Sequence, residues 1–143
     1  MGEGVEEQLK VIDVLLIDDD PTEYEIIQYK LKKVESHDVA VDFVSTLDAG
    51  LEKLGERNYD IILIDNMLPP HNDFRQTVPL IRKARYIGPI GIISSDISSN
   101  YFQSFGEFGA DFRMSKQEVD ARSLRYIFNE FTRDNSLPFD EEM

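Results

Sequence analysis

The chain contains no cysteine, which excludes disulfides and thiolate metal sites and agrees with a cytoplasmic protein. Long apolar runs are missing too. The longest, Val14–Ile17 and Ile61–Ile64, fall far short of the roughly 20 residues that a membrane span needs. The first ten residues are acidic and lack an apolar centre, so they do not read as a secretion signal. Positive charge is scarce: 15 Lys and Arg face 28 Asp and Glu, for a net charge of −13. Nucleic-acid affinity comes largely from Lys and Arg neutralising phosphates. The bases here are few and scattered, so binding to DNA or RNA is not expected.

What remains is ordinary globular chemistry. With 143 residues, 41% apolar and 30% charged, the chain is long enough for one compact domain and too short for two. Residues 1–10 read as an acidic extension, 11–133 as the domain, and 134–143 as an acidic, solvated tail around Leu137-Pro138-Phe139. His37 and His71 fall in predicted loops without metal-ligand spacing and read as surface residues.

Apolar runs alternate with amphipathic stretches. Val11–Ile17 predicts a strand, and Pro21 opens a helix with Tyr24, Ile27, Leu31 and Val34 on one face. Val39–Val44 is a second strand, followed by a helix marked by Leu47, Gly50, Leu51 and Leu54. Ile61–Asp65 is a third strand, and Phe74, Val78 and Ile81 mark a third helix. After the breaker pair Gly88-Pro89 come strand Ile90–Ser94 and a helix lined by Ile97, Tyr101, Phe105 and Phe108, with Gly109 placed to stop it. Ala110–Met114 is the last strand, and Leu124, Ile127, Phe128 and Phe131 mark the last helix. Five successive β-α units imply a parallel sheet with helices on both faces, joined by right-handed crossovers. In such sheets chemistry gathers beyond the carboxyl ends of the strands, at the switch in strand order.

At those ends stand Asp18-Asp19-Asp20, then Asp65, then Ser94-Ser95, and finally Lys116. Crowded carboxylates raise the cost of ionising one another. A hard divalent cation relieves that conflict, and Mg²⁺ favours a few carboxylates and several waters. A carboxylate nucleophile beside cation, ammonium and hydroxyl suits phosphoryl chemistry. Asp20, directly before Pro21 and three residues before Glu23, reads as a helix cap and stays outside the metal set. Asp18 and Asp19 read equally as turn residues or as ligands. Ser94 and Lys116, taken singly, read as structural and solvated. The aromatic helix Tyr101–Phe108 reads first as a core stripe, with one or two rings left for a partner.

Four segments resemble the receiver domain of two-component response regulators: Leu15-Leu16-Ile17-Asp18-Asp19-Asp20-Pro21, Asp60–Pro69 with Asp65 at its centre, Pro89–Ser95, and Gly109–Lys116. They occur in the family's order and at its separations. The resemblance implies a flavodoxin-like doubly wound (βα)5 fold with a five-stranded parallel sheet in the order 2-1-3-4-5. It implies that Asp65 accepts a phosphoryl group from a phosphohistidine on a sensor histidine kinase or a histidine phosphotransfer protein. Asp19, Asp65 and the Met67 backbone carbonyl would bind Mg²⁺, with Asp18 acting through a water. Ser94 and Lys116 would contact the phosphoryl oxygens, while Met67 and Asp96 would tune hydrolysis. Such a receiver modifies itself slowly and is not a turnover enzyme. The tails read as too short for a DNA-binding output domain, so output is expected to pass through protein contacts, with a downstream target or in a phosphorylation-dependent homodimer.

Two positions depart from the pattern. Gln117 stands where the family has a cis proline. A non-proline cis bond costs about 2.5–4 kcal/mol, so this peptide is expected to be trans or held under strain. Arg113 replaces the aromatic switch residue, and Glu107 is the acid expected to pair with it. The face made by the fourth helix, fifth strand and fifth helix is therefore expected to signal by a different rearrangement. These departures leave a competing reading, a phosphorylation-independent pseudo-receiver that only binds a partner. A phosphatase-type enzyme is disfavoured, because Asn66-Met67 supplies no acid-base residue after Asp65.

Overall fold

The computed structural model describes residues 11–132. The expected acidic extension and the tail with Leu137-Pro138-Phe139 lie outside the described residues. Five parallel strands, β1 (Val11–Ile17), β2 (Asp38–Val44), β3 (Ile61–Asp65), β4 (Ile90–Ser94) and β5 (Phe112–Ser115), form one sheet in the order β2-β1-β3-β4-β5. This is the doubly wound order expected from the sequence. Strands β1, β3 and β4 are apolar on both sides because both faces are covered. Side chains alternate along each strand. Val14 and Leu16 therefore join Ile61, Leu63 and Ile93 in one core, while Leu15 and Ile17 join Ile62, Ile64 and Ile92 in another.

Helices α1 (Pro21–Lys32) and α4 (Ala121–Phe131) cover the first face, bringing Ile27, Leu31, Leu124 and Phe128 into its core. Helices α2 (Leu47–Glu56) and α3 (Phe74–Lys83) cover the second with Leu47, Phe74, Val78 and Ile81. Local chemistry sets their starts. Asp20 caps α1 by accepting from the Thr22 amide at 2.9 Å, with Pro21 next in the first turn. Thr46 caps α2, Asp73 caps α3, and Asp120 with Ser123 forms a capping box on α4. No helix among the described residues is long and apolar enough to cross a membrane.

One predicted element is corrected. Residues Asn100–Phe108 form two short 3₁₀ stretches joined at a kink at Ser104, not an α-helix beginning near Ile97. Two features account for this. The Asp96 carboxylate accepts from the Ser98 amide at 2.9 Å, which holds Asp96–Ser98 in a turn and delays the helix. Phe102, Phe105 and Phe108 recur every third residue, the period of a 3₁₀ helix, and all three pack into or against the second core. Gly109 ends the segment as expected, at φ +106°. The last strand begins at Phe112 rather than Ala110, and β2 begins one residue earlier than predicted, at Asp38.

Candidate phosphoacceptor site

Parallel pairing aligns the strand ends that carry the chemistry. Ile17 lies opposite Ile64, Asp65 opposite Ile93, and Ser94 opposite Ser115. The next residues along β1, Asp18 and Asp19, and the one after β5, Lys116, therefore meet Asp65 at one edge. Asp18 is fully buried; its amide donates to the Val44 carbonyl at 3.1 Å and its Oδ1 accepts from the Asp20 amide at 3.0 Å. Asp18, Asp19 and Asp65 each offer an oxygen within 4.8 Å of the others. Asp20 faces away to its cap, as expected, but Glu23 does not close a capping box with it. Instead Glu23 sits 3.9 Å from the Lys116 ammonium.

Lys116 Nζ lies 3.1 Å from Asp18 Oδ2 and 3.4 Å from Asp65 Oδ1. Burial, then the neighbouring Asp18 charge, pushes the Asp65 pKa up to about 7, with Lys116 acting in the opposite direction. Burial also works against the Lys116 charge, but Asp65 and Asp18, helped by Glu23, outweigh it and hold its pKa above the ordinary lysine value. When all three carboxylates are ionised, two negative charges remain against the one ammonium. Asp18 Oδ2 is buried and, despite the nearby ammonium, makes no hydrogen bond of regular geometry. Hard oxygen donors, residual negative charge and an unsatisfied buried carboxylate oxygen together fit a hard divalent cation.

The other expected residues fall around this centre. Met67 is exposed and, with Ser94 and Asp96, lines the same cleft of about 520 Å³ as Asp65. The Ser94 hydroxyl donates to the Asp96 carbonyl at 3.2 Å. Hydrogen bonds from the Ser98 side chain and backbone hold the Asp96 pKa below the usual carboxylate range. Gln117 is exposed in the turn Lys116–Glu118; Pro69–Pro70 is the cis peptide among the described residues, so Lys116–Gln117 is trans. In place of a proline, the Glu118 carboxylate accepts from the Ser115 amide at 2.9 Å and ties this turn to β5.

Arg113 does not pair with Glu107. Its guanidinium lies 5.3 Å from the centre of the Phe105 ring, and its Nε is buried without a hydrogen-bond partner. The long aliphatic stem and planar head lie against an aromatic surface, so the 3₁₀ helix supplies a ring rather than an acid. Neither histidine joins the site: His37 meets the Phe128 ring edge-on, and the His71 amide donates to the Leu68 carbonyl.

Sequence reasoning missed a group beside Asp65. Asn66, buried next to Asp65, accepts from the Phe74 amide through Oδ1 at 3.0 Å and donates through Nδ2 to the Tyr101 hydroxyl at 2.8 Å. The Arg75 guanidinium lies 4.2 Å over the Tyr101 ring and is held by both oxygens of Asp73. The signal available in the sequence was Tyr101 itself, read as a core aromatic.

Comparison with known proteins agrees with this fold. Residues 14–128 match the family model of the response regulator receiver domain. The autoinducer 2 sensor kinase/phosphatase LuxQ of Vibrio harveyi is 32% identical over 121 residues, which is 84% of this chain and 14% of that protein. The chain thus spans about a seventh of that relative's length. Among solved structures, a Francisella response regulator receiver domain superposes with a TM-score of 0.67 at 24% identity, covering 83% of this chain and 94% of that one. The receiver domain of a Pseudomonas aeruginosa PAO1 sensor histidine kinase, solved with magnesium coordinated in its active-site cleft, gives 0.69 at 19% identity, covering 85% and 97%. At these identities the structures speak for the fold, and the family match covers most of the chain. This chain belongs to the response regulator receiver domain family of two-component signalling.

Proposed function

We propose that Asp65 accepts a phosphoryl group from a phosphohistidine on a sensor histidine kinase or phosphotransfer protein, and that the phosphorylated domain signals through protein contacts. The observation that carries this reading is the position of Asp65 at the end of β3, its carboxylate 3.4 Å from Lys116 and grouped with Asp18 and Asp19. A carboxylate oxygen of Asp65 attacks phosphorus in line, the phosphorus–nitrogen bond breaks, and the imidazole leaves with the bond's electron pair. Lys116 lies where it can follow the charge from the Asp65 carboxylate to the phosphoryl oxygens. Ser94 exchanges its bond to the Asp96 carbonyl for one to the phosphoryl group. Asp19, Asp65 and the Met67 carbonyl would hold Mg²⁺, with Asp18 joined through water. Bound there, the ion neutralises phosphoryl oxygens. Met67 and Asp96, on the cleft wall, set how readily water reaches the aspartyl phosphate.

Acetyl phosphate with Mg²⁺ tests the reading. One added phosphate by intact mass, absent from Asp65→Asn, is expected. No adduct from acetyl phosphate or from a kinase would leave the phosphorylation-independent binding module, which the position of Arg113 over Phe105 otherwise favours. The reading includes a single-domain, cytoplasmic protein. A native polypeptide near 16.5 kDa supports the single domain and a longer one contradicts it, while recovery in the membrane or exported fraction would contradict the cytoplasmic location.

A further inference from the structure

We propose that the Tyr101 hydroxyl is an additional donor to the phosphoryl oxygens on Asp65, aimed into the cleft by Asn66. The inference rests on the reading of Asp65 as phosphoacceptor. Its core is the direction of one hydrogen bond. Asn66 Oδ1 accepts from the Phe74 amide, so the other end of this amide is the NH₂ group. That NH₂ donates to the Tyr101 oxygen, which must accept. The phenol proton is therefore directed elsewhere, and the hydroxyl makes no other hydrogen bond among the described residues. Tyr101 also forms part of the wall of the cleft that holds Asp65, Ser94 and Lys116.

The ring is held in place from several sides. Phe102 stacks on it with ring centres 4.7 Å apart, and Arg75 covers it at 4.2 Å. The Ser104 hydroxyl donates to the Tyr101 carbonyl at 2.7 Å, at the kink of the 3₁₀ helix. Asn66 is fixed too, since its backbone N–H donates to the Ile93 carbonyl at 2.9 Å. A phosphoryl group on Asp65 extends that side chain into the cleft that Tyr101 lines. Lys116 is shared between Asp18 and Asp65, and Ser94 is turned to the Asp96 carbonyl. An uncommitted phenol proton on the wall adds a further side-chain donor to those of Lys116 and Ser94.

The test compares wild type with Tyr101→Phe, which keeps the ring and removes the proton. Both proteins are titrated with Mg²⁺ alone and then, at saturating Mg²⁺, with beryllofluoride as the phosphoryl mimic. A hydrogen bond to a charged group predicts a loss of roughly tenfold or more in beryllofluoride affinity, with Mg²⁺ affinity unchanged. Equal beryllofluoride affinity in the two proteins would overturn the inference. A parallel loss of Mg²⁺ and beryllofluoride affinity would also overturn it, by showing that the hydroxyl only supports the loop through Asn66. Failure of wild type to bind beryllofluoride or gain a phosphate would instead remove the acceptor reading, and this inference with it.

Discussion

Asp65 is the residue at which burial and function oppose each other most directly. An ordinary aspartate loses its proton near 3.9, whereas burial and Asp18 hold this one to about 7. The folded chain therefore keeps a proton over a range in which the unfolded chain has released it. The stability linked to that proton is complete below about 4 and is lost as pH rises through about 7, a change of a few kcal/mol. Metal-free protein should therefore show a lower urea midpoint at pH 8 than at pH 5 from this group. Saturating Mg²⁺ should reverse that loss, because the cation favours the ionised carboxylate. Lys116 has the matching role on the cationic side. Lys116→Ala should slow phosphate uptake from acetyl phosphate by roughly a hundredfold, as read by the rate at which the adduct appears. Because Asp18 is wholly buried, the same change leaves a buried charge without its counterion, so thermal stability should fall as well.

At the scale of elements, the loops that carry the chemistry are held by local devices. Gly109, at φ +106°, turns the chain from the 3₁₀ helix toward β5, and an added Cβ there would meet the Arg82 side chain at 2.9 Å. Gly109→Ala should destabilise the fold by about 1–2 kcal/mol, seen as a lower urea midpoint with an unchanged slope. Strands β1, β3 and β4 were legible in the sequence because burial on both faces leaves unbroken apolar runs. Asp18, Asp19, Asp65 and Lys116 were legible for a related reason, since they follow such runs and parallel register brings the ends together. The aromatic segment was not. A stripe of Tyr and Phe satisfies the 3.6-residue and the 3.0-residue period over so few turns, and the Asp96–Ser98 turn that decides between them is a side-chain bond. The Asn66–Tyr101 contact was equally hidden, because it joins residues 35 apart and depends on where two elements pack. Arg113 was recognised as a departure, yet its partner proved to be the Phe105 ring, which periodicity had assigned wholly to the core.

Across the whole molecule, a chain of contacts leads from Asp65 toward β5. From Asp65 the contacts run through Asn66 to Tyr101, and from the same 3₁₀ helix Phe105 meets Arg113 on β5. Phosphorylation replaces the carboxylate charge of Asp65 with a phosphoryl group carrying about 1.5–2 negative charges, and the contacts through Asn66, Tyr101 and Phe105 lead away from it, so the response should extend past the pocket. Amide chemical-shift changes on phosphorylation should reach Tyr101–Phe108 and Arg113; changes confined to the acidic pocket would contradict this route. The central claim concerns one atom group, and chemical mapping tests it most directly. Protein treated with acetyl phosphate and Mg²⁺, reduced with borohydride and digested, should carry homoserine in place of aspartate at position 65. Reduction product at another acidic residue, or none at all in a phosphate-labelled sample, would contradict it.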